Sequence, residues 1–435
     1  MANFTNAPIK SFLKEREDRF KPKEANRLGL KRLEKIDFSG SIHLAEDKET
    51  RTGMILVKRG DLVISGINVE KGAIAVYTGK EDVLATIHYS SYSFDKSKID
   101  VEYFKWFLKS KTFKEIVNSS IKGGIKTELK PKKFLPLVIP LPDLESQIEI
   151  RKKLDSVDNE INELSNIHFK NEDYIQKLRQ SILQEAVSGK LVPQDPKDEP
   201  ASELLKKIRQ EKEKLIREKK IKKDKELPPI TKEEVPYELP KGWVWVRLGE
   251  ICERVHYGYT ASANFSLKDF RLLRITDIQN DSVDWESVPG CEISKTEAEK
   301  YLLNENDVLI ARTGGTIGKS YIVKNLKVKA VFASYLIRLI PDTIINSDYL
   351  KIFLGSTLYW QQLYEKSMGT GQPNVNGVSL SNLKYALPPL PEQHHIVQKV
   401  DQLMKLCDEL EEKVKENQKN SELLMEAVLR EAFEA

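Results

Sequence analysis

Cysteine is scarce: Cys252, Cys291 and Cys407 are the three in 435 residues, too scattered for a disulfide framework or a Cys-x-x-Cys metal knuckle. Three reduced thiols are expected. Long apolar runs are missing as well, and none approaches the roughly 18 to 20 residues that a membrane span needs. The opening Met1-Ala-Asn-Phe-Thr-Asn-Ala-Pro-Ile-Lys10 lacks a basic segment followed by an apolar one, so no secretory signal is read and a cytoplasmic location, with no membrane partner, is expected. Six histidines, among them the adjacent His394 and His395, show no metal-ligand spacing with carboxylates or thiols, so no metal site is expected. Nucleophile elbows, dinucleotide fingerprints and the Asn-Pro-Pro-Tyr/Phe segment of adenine methyltransferases are absent. Thr313-Gly-Gly-Thr-Ile-Gly-Lys-Ser320 imitates a phosphate-binding loop, but Thr313 stands where that motif needs its first glycine. The residues after it, Tyr321-Ile-Val323, read as strand rather than as a helix whose N-terminus could face a phosphate. A net charge of +4 is too small to make the whole surface a polyanion trap, so any nucleic-acid binding has to come from local patches.

What the chain does have is itself, twice. Gly60-Asp-Leu-Val-Ile64 recurs as Asn306-Asp-Val-Leu-Ile310, an offset of 246. The same offset carries Gly72 to Gly318, Tyr89 to Tyr335, Tyr103-Phe-Lys-Trp-Phe-Leu108 to Tyr349-Leu-Lys-Ile-Phe-Leu354, Gln147 to Gln393, and Glu185-Ala186 to Glu431-Ala432. Nearer each start the register shifts by about four residues, since Arg32 and Ile36 match Arg274 and Ile278 best. Each copy begins as a compact mixed domain of short strand-like runs, such as Leu62-Val-Ile64 and Leu336-Ile-Arg-Leu-Ile340, with one amphipathic helix near Tyr103 or Tyr349. It closes on a proline-rich exit, Pro136 to Pro142 or Ala386 to Pro391, where missing N–H groups are expected to stop any strand.

A long helix with a heptad seam follows in each copy. The 4-3 spacing runs Ile150, Leu154, Val157, Ile161, Leu164, His168, Asn171, Ile175, Leu178, Ile182 in the first, and Ile396, Val400, Leu403, Cys407, Leu410, Val414, Asn417, Ser421, Leu424, Val428 in the second. Such spacing keeps one apolar stripe against a partner helix, and residues 150–187 would span about 57 Å at 1.5 Å per residue. Gly189, with Pro193 after it, supplies the stop. Two readings stand for the matched Asn171 and Asn417: solvated amides where the helix centres splay, or a buried amide that fixes register at some cost in stability. Leu406 and Leu423, on the outer faces, suggest a chain that is not stable without partners. Between the copies, residues 206–225 hold eleven basic and four acidic side chains, which read either as a solvated helix face or as a contact for nucleic acid or an acidic partner. Prolines 228, 229, 236 and 240 then make a stiff linker. The expected fold is α+β, with domains at 1–144 and 228–391 and helical regions at 145–227 and 392–435.

At this point the motifs become recognisable. Gly369-Thr-Gly-Gln-Pro-Asn-Val-Asn-Gly-Val-Ser-Leu380, Ala386-Leu-Pro-Pro-Leu-Pro-Glu-Gln393, Ile182 to Pro193, Asp195 to Leu205 and Leu239 to Leu248 resemble the specificity subunit of type I restriction-modification systems, and the resemblance covers essentially the whole chain. It implies two target recognition domains, each reading one half of a split double-stranded DNA sequence, separated by antiparallel coiled-coil helices in an internal pseudo-two-fold repeat. It also implies two methyltransferase subunits docked on those helices, carrying S-adenosylmethionine and methylating adenine N6. Restriction subunits would supply ATP- and Mg-dependent translocation and cleavage, so this chain itself would hold no cofactor and perform no catalysis. Copy one departs from the pattern: Gly123-Gly-Ile-Lys-Thr127 replaces Gly369-Thr-Gly-Gln-Pro373, and Ser146 replaces Glu392.

Two similar domains on a rigid spacer can engage two half-sites only if the spacer suits the helical repeat, about 34 Å per turn. Because the copies differ in sequence, the target should be bipartite and asymmetric. Lysine and arginine at phosphates set affinity, while bidentate Arg to guanine and Asn or Gln to adenine set choice. The candidates are therefore Arg312, Thr316 and Lys319 in one loop of copy two with Gln372 and Asn374 in another, and Asn68, Lys71, Lys122 and Lys126 in copy one. Each could equally be an ordinary solvated loop side chain. The competing reading of the whole chain is a coiled-coil scaffold whose globular domains bind proteins.

Overall fold

The computed structural model describes residues 4–45, 50–121, 129–223, 225–367 and 375–434. They form two compact units, residues 1–170 with 414–435 and residues 171–413, so the division passes through both long helices. No helix among the described residues is long and apolar enough to cross a membrane.

In the first unit, an antiparallel sheet runs in the order Leu13–Glu15, Tyr89–Phe94, Leu62–Ser65, Ile74–Val76. Beside it lies a five-stranded sheet, Arg19–Phe20, Met54–Val57, Val83–Thr86, Arg32–Ile36, Ile42–Ala45, with one parallel pair in which Arg32 faces Leu84. The second unit repeats the antiparallel sheet as Cys252–Tyr257, Leu336–Pro341, Val308–Ala311, Ser320–Ile322. It keeps the parallel pair as Arg271–Leu273 on Ala330–Phe332. Alternate residues of these strands face two kinds of core: Leu62, Ile64 and Tyr92 are buried with Phe104 of a helix, whereas Leu309, Ala311 and Leu336 are buried with Phe332 of the neighbouring sheet.

Strand register corrects the repeat near each start. Thr5 pairs with Leu141 and Val244 with Leu387, so the first strands lie 239 residues apart while their partners keep 246. Arg32 opposite Leu84 corresponds to Arg271 opposite Ala330, rather than to Arg274. The insertions fall in loops, where length is cheap. Of the proline exits, the second behaves as expected, with strand Lys384–Leu387 ending before Pro388, while the first differs, because strand Val138–Leu141 runs through Pro140. Pro140 is tolerated because its strand pairs on one side only, with Thr5–Pro8, and needs no donor on the other.

Each copy has two tandem helices where one is expected, Val101–Lys109 with Lys111–Ile121 and Ser347–Gly355 with Thr357–Ser367. A buried serine makes each break: Ser110 Oγ donates to Phe107 O and accepts from Phe113 N, and Ser356 Oγ donates to Phe353 O and accepts from Tyr359 N. Asp100 and Asn346 cap the first helix of each pair.

The long helices are Leu144–Val187 and Leu390–Phe433. Gly189, at φ +69°, ends the first, and Pro240 would collide with any Cβ placed there. Each unit also receives the far end of the other copy's long helix. In the first, Phe433 is buried 5.5 Å from the rings of Tyr103 and Phe107, and its carbonyl accepts from Thr112 Oγ1. Burying that ring stabilises the unit by about 1.5 to 3 kcal/mol. In the second, Gln184 Oε1 accepts from Leu358 N, the position matched to Thr112. Beside Phe433, Val428, Leu429 and Ala432 pack on the cluster that holds Ile150 and Leu154.

The seam departs from a strict heptad. Leu154, Ile396 and Val400 are buried and Ile150, Val157, Ile161 and Leu403 half-buried, but Leu164, Leu178, Leu410 and Leu424 are exposed. After Ile175 the inward positions are Arg179, Ile182 and Ala186, and after Ser421 they are Met425, Val428 and Ala432. The step after the 175/421 position is four residues instead of three and the next is three instead of four, so Ile182 and Val428 stay in the stripe while 179 and 425 take the place of 178 and 424. Arg179 can occupy such a place because its guanidinium reaches Asp408 and Glu411 at 2.6 and 3.2 Å. Asn417 is exposed and Asn171 half-buried, as solvated amides would be.

Candidate nucleic-acid interface

The motif glutamines that carry much of the resemblance fasten globular part to helix. Gln147 Oε1 accepts from Asp100 N and its Nε2 donates to Pro142 O, and Gln393 repeats both bonds with Asn346 N and Pro388 O. Glu392, which is Ser146 in copy one, is buried and accepts from Trp243 Nε1 at 2.8 Å and Gln194 Nε2 at 3.0 Å. Desolvation nevertheless pushes its carboxyl above the ordinary range. These residues build the frame.

Part of the basic run in residues 206–225 is tied down within its own unit. Helix Ala201–Arg217 buries Leu204, Leu205 and Ile208, while Lys206, Lys207, Arg209 and Lys214 pair with Glu203, Glu199, Glu250 and Glu211. Lys212 donates to the carbonyls of Gly249 and Cys252.

Two of the loops singled out in copy two do meet. The first leaves strand Val308–Ala311, makes a tight turn at Gly314–Thr316 and enters strand Ser320–Ile322. Gly318 has φ +81°, and a Cβ there would strike Leu363 and Trp360. At its entry Arg312 N donates to Tyr335 O, and Arg312 O accepts from Val375 N in the second motif. The Arg312 guanidinium lies over the Tyr257 ring, 4.7 Å from its centroid, and the Tyr257 hydroxyl accepts from Gly377 N at 3.0 Å. Such a stack stabilises by about 0.5 to 1 kcal/mol at exposed sites. Arg312 Nε is shielded and unpaired, and Arg312 forms no ion pair among the described residues. Thr316 is half-buried and Lys319 exposed. Gln372 and Asn374 lie outside the described residues.

Beside the stack Tyr257 and Tyr335 are exposed; elsewhere in the unit Phe265 is exposed too, with the Arg274 guanidinium 5.8 Å from its ring. Next to Tyr257, His256 is half-buried against Phe332 and Tyr301. Burial holds its imidazole down at about 4, with Arg254 and Arg338 adding to the effect. The sequence reading overlooked Tyr257, which sits 55 positions before Arg312 and joins it only through the pairing of strands Cys252–Tyr257 and Val308–Ala311 with Leu336–Pro341.

Copy one keeps the frame and changes the side chains. Leu129 N donates to Gly66 O as Val375 N does to Arg312 O, which places Gly66 where Arg312 stands. Asn68 is half-buried and opens a turn at Val69–Lys71; Lys71 is exposed, its Nζ 5.8 Å from the exposed Phe38 ring. Lys122 and Lys126 lie outside the described residues.

Against known proteins, the family model for the type I restriction modification DNA specificity domain matches residues 31–172 and 240–419. The specificity subunit of the Escherichia coli type I restriction enzyme EcoAI is 40% identical over 256 residues, 56% of this chain and 42% of that one. The EcoEI specificity subunit, also from Escherichia coli, is 34% identical over 270 residues, 60% of this chain and 45% of that one. The alignments thus span under half the length of these relatives. Among solved structures, the HsdS subunit from Thermoanaerobacter tengcongensis superposes with a TM-score of 0.59 over 99% of this chain and 96% of that one, at 17% identity. A chain from a structure of type I R-M complex assembly gives 0.60 over 99% and 97%, also at 17% identity. Both likenesses speak for the fold. With both copies matched by the same family model, the chain belongs to the type I restriction modification DNA specificity domain family.

Proposed function

We infer that the chain is the DNA-specificity subunit of a type I restriction-modification complex, a non-catalytic reader whose two copies each recognise one half of a bipartite, asymmetric duplex target. The observation that carries this is the pairing of a shared frame with unshared loop side chains. Across the 246-residue offset Arg312 faces Gly66, Lys319 faces Ala73, Lys71 faces Ile317 and Asn68 faces Gly314. A scaffold would have no reason to conserve the strand-to-loop hydrogen bonds while exchanging every cation and amide on the loops. Two readers of different half-sites would. The long helices then serve as spacer and as docking surface for two methyltransferase subunits, with restriction subunits joining them. S-adenosylmethionine, ATP and Mg belong to those partners, and none is assigned to this chain.

The test is to map N6-methyladenine in the host genome with the gene intact and deleted. Loss of methylation at one split motif on deletion supports the reading and gives the target; an unchanged pattern overturns it.

A further inference from the structure

Resting on that reading, we propose that Arg312, held on Tyr257, reads a guanine in the half-site of the second copy, and that the first copy has no counterpart to this contact. An arginine that discriminates bases has to be held, desolvated on one face and free of competing acids, so that its planar fork can meet guanine O6 and N7 together. Arg312 meets these conditions. Its backbone is fixed on both sides by Tyr335 O and Val375 N, and its guanidinium lies 4.7 Å from the Tyr257 centroid. No carboxylate among the described residues pairs with it, and its Nε is left without a partner.

Of the other arginines in this unit's strands and loops, Arg338 pairs with Asp307, Arg274 with Asp277 and Arg247 with Glu234, and Arg271 donates to Val288 O, while Arg254 is exposed on the strand that ends in Tyr257. The support under Arg312 is itself anchored, because the Tyr257 hydroxyl accepts from Gly377 N. In the first copy the arginine is Gly66 and the residue matched to Tyr257 is Arg16, which is committed to Asp61. Ring and fork are therefore both absent there, and the guanine readout belongs to one half-site.

The experiment uses the intact complex purified from its host and duplexes carrying the mapped motif, with 7-deazaguanine placed at each guanine in turn. That base keeps O6 and loses the N7 acceptor. At one guanine of one half-site, 7-deazaguanine should weaken wild-type binding on the order of 10-fold. For Arg312→Ala, already weaker on the native duplex, the same replacement should cost nothing further. Tyr257→Leu should give a partial loss at the same guanine, with the other half-site unaffected. Additive losses at every guanine overturn the proposal, because an arginine that only touches phosphate weakens binding without depending on any guanine N7. If Arg312→Ala abolishes binding to all duplexes, the cycle is run on Arg312→Gln, where additive and non-additive losses decide in the same way. Failure of the underlying reading looks different: the wild-type complex then prefers no duplex at all.

Discussion

Asp61 and Asp307, matched across the repeat, are both buried just before an inner strand of their sheets, Leu62–Ser65 and Val308–Ala311, and each meets an arginine from a different place. In the first copy Arg16, at the end of edge strand Leu13–Glu15, binds Asp61 through Nε and Nη2, and the position on the other inner strand, Tyr89–Phe94, is Tyr92. In the second copy that other inner strand, Leu336–Pro341, supplies the cation, Arg338, 2.5 Å from Asp307, and the edge position is Tyr257. Arginine and tyrosine have exchanged places around one acid. The exchange satisfies the same buried charge in both frames, yet only in the second copy does it leave a tyrosine at the surface for another arginine to lie on. A core arrangement and a surface device are thus coupled through two positions.

The two pairs should differ most in what it costs to break them. Arg338 and Asp307 are 4% and 3% exposed, and beyond the arginine Asp307 has Asn304 N as its donor. Arg16 is 23% exposed, and Asp61 keeps bonds from Ser91 Oγ and Lys58 N if it is lost. Removing one partner of a buried pair costs about 3 to 5 kcal/mol because the other charge is stranded. Arg338→Met should therefore lower hydrogen-exchange protection of strand Leu336–Pro341 by that amount. Arg16→Met should lower protection of Tyr89–Phe94 by roughly 1 to 2 kcal/mol. Equal losses would mean that the exchange of partners is energetically neutral.

Acid should separate the copies again. His256 lies opposite Arg338 in the strand pairing, and the matched residue of the first copy is Glu15, opposite Tyr92. With an ordinary value of 6.5 lowered to about 4 by burial, the imidazole is favoured neutral in the folded unit. Its contribution is fully present above pH 6.5 and declines as pH falls towards 4, where the folded form also takes the proton. Discounted for partial exposure, the loss is roughly 2 kcal/mol. Urea unfolding followed at Trp285, buried in the second unit, should show this decline in the wild type and lose it in His256→Gln. A decline of the same size in the variant would assign the acid sensitivity elsewhere.

The repeat was legible in the sequence because, from Asp61 onwards, insertions are absent and core residues such as Leu62, Tyr103 and Phe107 have their partners 246 residues on, at Val308, Tyr349 and Phe353. Before Asp61 the loops differ in length, and only strand pairing reveals offsets of 239 and 241. Arg312 could be singled out by its residue type and its glycine-rich setting. Tyr257 could not, since nothing local marks a tyrosine at a strand end as a platform. Phe433 was equally hidden: helical periodicity says which face of a helix is buried, but not that its last ring belongs to the core of the other copy.

The long helices give the smallest predicted effect and the one that most sharpens the comparison, because here the copies agree with each other and depart from the heptad. Leucine at 178 and 424 is what an uninterrupted 4-3 count places in the seam, yet these side chains are 44% and 49% exposed, and the next residues, Arg179 and Met425, turn inward. A leucine already that open loses little when it becomes polar. Leu178→Gln and Leu424→Gln should each change the stability of the isolated chain by no more than about 0.5 kcal/mol. Met425→Ala, by contrast, should cost roughly 2 kcal/mol through the packing it abandons beside Leu154 and Phe433. If the glutamines cost as much as the alanine, the seam follows the leucines. If they do not, both copies turn the same neighbouring position inward at the same point, and the departure from the heptad is a property of the repeated unit, because Arg179 and Met425 hold the place with unlike chemistry.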